Sequence, residues 1–102
     1  MRGKELTSTT RESWSDLGID RRRYGQLLNY CRDPANYQMV YNVAHKNDHF
    51  LAPWIIRSVT TGASFDKLEY TLKLGLLPCG RTNFYAVRRH FYALLNEELK
   101  GD

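Results

Sequence analysis

The sequence predicts an all-α protein of about five helices in a single small domain, ending in a helix-turn-helix. Three observations predict it. Apolar residues recur at i, i+3, i+4 and i+7 along most of the chain, the spacing of one helix face. Capping and breaking residues fall between those runs. No stretch alternates with period two for long enough to make a strand, although Val59-Thr60-Thr61 is β-prone.

Bulk properties agree. At 102 residues the chain fits one domain with one modest core. Seven Tyr, four Phe and two Trp argue against disorder, which is poor in such residues. The net charge of +4 permits a nucleic-acid partner without demanding one. Its distribution is more telling. Arg21, Arg22 and Arg23 form one cluster, whereas residues 72–96 carry Lys73, Arg81, Arg88 and Arg89 and no acid. Two basic patches can meet two stretches of phosphate backbone; a solvated surface is the plainer reading of each.

In chain order, residues 1–13 are polar and Thr/Ser-rich and read as a loose N-terminal arm, with the helical domain spanning 14–102. Trp14 and Leu17 are placed to dock on the core, and Leu6 to extend that contact. Asp20 reads as the N-cap of a first helix with Tyr24, Leu27, Leu28 and Cys31 on its apolar face. Asp33-Pro34 stops it and starts a second, with Tyr37, Val40, Tyr41 and Ala44 inward. Asp48 is placed to cap a third helix carrying Leu51, Trp54, Ile55 and Val59, with Pro53 tolerated near its start. Gly62 suits a left-handed C-terminal position. Ser64 reads as the N-cap of a fourth helix with Phe65, Leu68 and Leu72 inward, closed by Gly75, with Leu76 and Leu77 packing under the turn. The fifth helix presents Phe84, Val87, Phe91, Leu94 and Leu95 at helical spacing. Tyr30, Tyr70 and Tyr92 lie off these stripes and are where an interface is expected. The core is expected to hold Leu28, Val40, Ile55, Leu68, Phe84 and Phe91.

The helix-turn-helix of residues 62–99 carries the functional reading. In such a motif the first helix crosses the DNA backbone and the second enters the major groove by its N-terminal end. Cys79 takes the N-cap position, and Gly80, Arg81, Thr82 and Asn83 form the first turn. Arg donates twice to guanine and Asn bonds both ways to adenine, so Arg81, Thr82 and Asn83 are the base-reading candidates. Tyr85, Arg88 and Arg89 are the phosphate candidates, with Arg21, Arg22 and Arg23 as a second patch. The alternative is an ordinary helical hairpin with a basic face.

Gly62-Ala63-Ser64-Phe65-Asp66-Lys67-Leu68, then Leu77-Pro78-Cys79-Gly80-Arg81-Thr82-Asn83-Phe84-Tyr85 and Arg88-Arg89, resemble the C-terminal helix-turn-helix of small phage and mobile-element regulators of Gram-positive bacteria, which are like region 4 of sigma factors. The resemblance covers under a third of the chain. It implies a transcriptional role and DNA contacts from Arg81, Thr82, Asn83, Tyr85, Arg88 and Arg89. One departure is the Leu-rich segment 73–78, long for a tight turn: either the first helix runs further or the hairpin is more open.

Other chemistries fare worse. His45 and His49 are four apart, but Asn47-Asp48 breaks the helix between them and Lys46 stands where a zinc protease has Glu, so no metal site is expected. Cys31 and Cys79 follow no metal spacing; they allow one disulfide but read first as a cytosolic pair of thiols. His90 lies about three turns from Cys79 on the same helix, too far to serve as its base. With no carboxylate pair and no phosphate loop, neither enzyme activity nor a cofactor is expected. No apolar run approaches the ~20 residues of a membrane span, so a cytoplasmic protein is expected. Double-stranded DNA is the expected partner. RNA uses the same basic residues, a homodimer would use the aromatic surface, and a protein–protein adaptor or inhibitor acting on a host protein is the alternative function.

Overall fold

A computed structural model describes residues 18–71 and 79–100, without the side chains of 69–71. Among them are five α-helices and one 3₁₀ turn, and no strand: α1 (Arg21–Arg32), the 3₁₀ turn Pro34–Asn36, α2 (Tyr37–Asn47), α3 (Ala52–Thr61), α4 (Phe65–Thr71) and α5 (Arg81–Lys100). The N-terminal arm, the docking of Trp14 and Leu17, and the roles given to Leu72, Gly75, Leu76 and Leu77 lie outside the described residues, as does the connection from α4 to α5. So does the side chain of Tyr70.

The punctuation works as its chemistry requires. Asp20 caps α1, its carboxylate accepting from the Arg23 backbone N–H at 2.8 Å and satisfying one of the open donors of the first turn. Asp33 does the same for Ala35 at 3.0 Å, and Pro34 opens the 3₁₀ turn that leads straight into α2. Asp48 ends α2 and accepts from Leu51 N–H at 3.0 Å, so it shapes the turn into α3 while Leu51 itself holds the cap position. Gly62 closes α3 at φ 82°, a left-handed conformation that glycine adopts without steric cost. A Cβ there would also meet Arg32 Nη2 at 2.7 Å. Ser64 Oγ accepts from Lys67 N–H at 3.2 Å, the expected simple cap of α4.

The core forms where α1 and α2 pack on the long α5 and α3 packs on α1 and α2. Leu27 and Cys31 of α1, Val40, Val43 and Ala44 of α2, Ile55 and Val59 of α3, Leu68 of α4, and Phe84, Phe91, Tyr92 and Leu95 of α5 are buried together. Of the expected core residues, Val40, Ile55, Leu68, Phe84 and Phe91 are fully buried, and Leu28 is half-buried against the edge.

Three expectations are corrected. The inward face of α2 is Val40, Val43 and Ala44, and Tyr37 and Tyr41 are exposed. Both faces satisfy helical spacing; the smaller residues go inward because α2 packs against both α3 and α5, where close approach favours Val and Ala. Tyr92, expected at an interface, is buried to 1% exposure, its ring edge-on to Tyr24 at 5.5 Å and Phe91 at 5.3 Å. Two packed faces on α5 explain it, since this helix is enclosed on more than one side. Trp54 is only half-buried.

Candidate nucleic-acid interface

The site is built at the junction of α3, α4 and α5. Buried Ser58, near the end of α3, is the node. Its hydroxyl donates to the Ala63 carbonyl at 2.7 Å, and its carbonyl accepts from the Gly62 N–H at 2.7 Å, which fixes the exit from α3. The same hydroxyl accepts from Arg88 Nη1 of α5 at 3.0 Å. One turn back on α5, Tyr85 Oη accepts the Phe65 backbone N–H at 2.9 Å. That N–H is one of the donors a helix start leaves open, so α5 supplies what α4 cannot. Arg88 also lies over the Tyr85 ring at 4.6 Å, and Phe84 packs on Phe65 at 5.8 Å between centroids. These contacts lock α4 against the first half of α5.

The first turn of α5 stands clear of this lock. Gly80, not Cys79, takes the cap position, because its carbonyl accepts the first helical bond, from Phe84 N–H at 2.9 Å; Cys79 stands one residue earlier, partly buried against the core. Arg81, Thr82 and Asn83 are all exposed. Arg81 is held by Asp66 of α4, Nη1 to Oδ1 at 2.8 Å, and lies over the Phe65 ring at 5.1 Å. Both partners of that ion pair are more than half exposed, so it orients the guanidinium at little energetic cost to its release. No acid lies in this turn of α5 itself.

The nine candidate residues therefore separate into groups. Arg81, Thr82 and Asn83 come together on one open turn. Tyr85 and Arg88 are drawn inward as structural ties rather than left on the outer face. Arg89 is half-buried. On α1, Arg21 and Arg22 are exposed, but Arg23 turns back, its Nε donating to Oδ1 of buried Asn96 at 2.6 Å and Nη1 to Gln26 at 3.0 Å. Asn96 lies fifteen residues from Arg81 along α5, roughly 22 Å at the helical rise. Arg23 thus meets α5 far from the turn that carries Arg81. Two features escaped the sequence reading: Asp66 as the partner of Arg81, and Phe65 as the ring beneath it. Their spacing across the connection from α4 to α5 carries no local signal.

The remaining chemistry-bearing groups are separate. Neither cysteine is in a disulfide. Burial pushes the Cys31 thiol up to about 12, against a slight opposing pull from Arg32. Burial likewise raises the Tyr92 phenol well above its usual range. The rings of His45 and His49 lie 5.7 Å apart across the end of α2, and among the described residues no three His, Cys, Asp or Glu side chains group as metal ligands. No described helix is long and apolar enough to cross a membrane. No family model, characterised protein or solved structure matches the chain.

Proposed function

We propose that the protein binds double-stranded DNA in a sequence-dependent way through the first turn of α5, and serves as a cytoplasmic transcriptional regulator of a phage or mobile element. The observation that carries this reading is the joint exposure of Arg81, Thr82 and Asn83 on an acid-free turn whose flanking helix is fixed by Tyr85, Arg88 and Ser58. Those three side chains offer the donors and acceptors that read base edges, and the open N–H groups of the turn favour phosphate. The ties behind them supply the rigidity that positions a reading turn. Arg21 and Arg22 of α1 are a separate phosphate contact. Structured RNA would draw on the same charges.

The test is a fluorescence titration of selected and random duplexes with the parent and Arg81→Ala. Loss of preference, with about 1–3 kcal/mol lost on the best duplex, supports the reading. A parent that binds no duplex at low salt overturns it.

A second reading, a protein–protein adaptor or inhibitor acting on a host protein, or a homodimer, draws on a different surface. Tyr37, Tyr41 and Phe50 are 48%, 41% and 80% exposed. Aromatic residues on a surface are enriched at interfaces.

A further inference from the structure

The exposed side of α2 and the turn that follows it carry an unbroken row of rings. Tyr37 and Tyr41 lie 6.2 Å apart, Tyr41 and His45 4.3 Å, His45 and His49 5.7 Å, and His49 and Phe50 5.8 Å. Tyr37, Tyr41 and His45 also form one wall of an open groove of about 530 Å³. Pro53, Ile56 and Arg57 of α3 form the other wall.

Charge decides what fits. Between Pro34 and Phe65 the only acid is Asp48, and its carboxylate is engaged by the Leu51 N–H. Arg57 is exposed, and its guanidinium has no ion-pair or hydrogen-bond partner among the described residues. The groove therefore joins flat aromatic surface, an aliphatic wall and an uncompensated cation. Unpaired nucleic acid has the complementary parts, bases with π-faces on an anionic backbone. Pro53 and Ile56 make the wall opposite the rings apolar beside Arg57, and Thr60 there donates its hydroxyl proton to the Ile56 carbonyl at 2.8 Å. With that proton committed Thr60 offers none to a ribose hydroxyl, whereas Pro53 and Ile56 suit a thymine methyl.

We propose that the α2–α3 groove binds a short run of unpaired, thymine-rich DNA, with bases stacked on Tyr37, Tyr41 and His45 and phosphate paired with Arg57. This site uses none of the residues assigned to duplex DNA, so the two stand or fall separately. A protein that holds duplex at one surface and an unpaired strand at another is suited to a locally opened site.

The test is fluorescence anisotropy with labelled oligo-dT of about a dozen nucleotides, a matched oligo-U and a duplex. The parent should bind oligo-dT, and more tightly than oligo-U. Tyr37→Ala/Tyr41→Ala should weaken oligo-dT at least about fivefold, the lower end for losing one stacked base. Tyr41→Trp should retain binding because it keeps a ring. Arg57→Ala should weaken binding and flatten its salt dependence. Arg81→Ala should leave oligo-dT binding unchanged while it impairs duplex binding. All these positions are exposed, and melting curves check that each variant folds. No oligo-dT binding by the parent, equal binding by the double variant, preference for oligo-U, or loss on Arg81→Ala overturns the proposal. Loss of duplex binding alone overturns only the duplex reading.

Discussion

The two ends of α5 are built to opposite specifications. Its C-terminal half is sealed: Phe91, Tyr92, Leu95 and Asn96 are buried and Arg23 reaches across from α1 to Asn96, while Lys46 of α2 pairs with Glu98 at 2.9 Å on the exposed rim. Its N-terminal turn is open: Arg81, Thr82 and Asn83 face solvent, and the described ties of that turn to α4 are the Arg81–Asp66 pair and the contact with Phe65. Between them, Tyr85 and Arg88 mark the change, being polar side chains spent on holding α4 and the end of α3. The difference teaches that basic residues on one helix need not share one task. Arg88 is a tie, and Arg81 is the one presented outward.

The largest effect should come from the sealed half. Phe91→Ala should cost about 3–5 kcal/mol in urea unfolding, through lost burial and the cavity left behind. A loss near zero would break the comparison. Next, Asn96→Ala should cost about 1–3 kcal/mol, because it leaves the partly buried Arg23 guanidinium short of an acceptor; a loss confined to a few tenths would place that hydrogen bond at the solvent edge.

Alkaline pH probes the same half. The folded thiol of Cys31 ionises near 12 against 9.0 for the ordinary group. The unfolded chain therefore loses this proton first and binds fewer protons above that lower value. Stability should fall as pH rises from 9 towards 12, with Tyr92 adding to the loss in the same direction. Urea midpoints at stepped pH should show the fall, and Cys31→Ala should reduce it. A flat profile would mean that Cys31 is accessible in the folded protein.

The smallest effects belong to the exposed pairs. Asp66→Ala and Lys46→Ala should each change stability by no more than about 1 kcal/mol, as exposed ion pairs do. Asp66→Ala sharpens the comparison further: it removes a carboxylate from beside Arg81, so duplex binding should be kept or tightened, whereas Lys46→Ala should leave it unchanged.

Much of this plan was legible in the sequence. Asp20, Asp33, Gly62 and Ser64 mark helix ends by chemistry that acts over three or four residues, and each acts as its type requires. The core face of α5 was legible at Phe84, Phe91 and Leu95 for the same reason. The face of α2 was not, because Tyr37-Val40-Tyr41-Ala44 and Val40-Val43-Ala44 both repeat with helical period, and only packing against two neighbours selects the smaller set. At the candidate interface, the open turn of Arg81, Thr82 and Asn83 followed from its position at a helix start. The inward turn of Tyr85, Arg88 and Arg23 did not, since their partners Phe65, Ser58 and Asn96 are set by tertiary contact across 20, 30 and 73 residues.

The most direct test of the account is a duplex titration at two salt concentrations with the parent, Arg81→Ala and Lys46→Ala, each verified to melt like the parent. The account predicts salt-sensitive binding by the parent, loss of sequence preference with about 1–3 kcal/mol lost for Arg81→Ala, and no change for Lys46→Ala. Equal binding by the parent and Arg81→Ala, or no duplex binding by the parent at low salt, would contradict it.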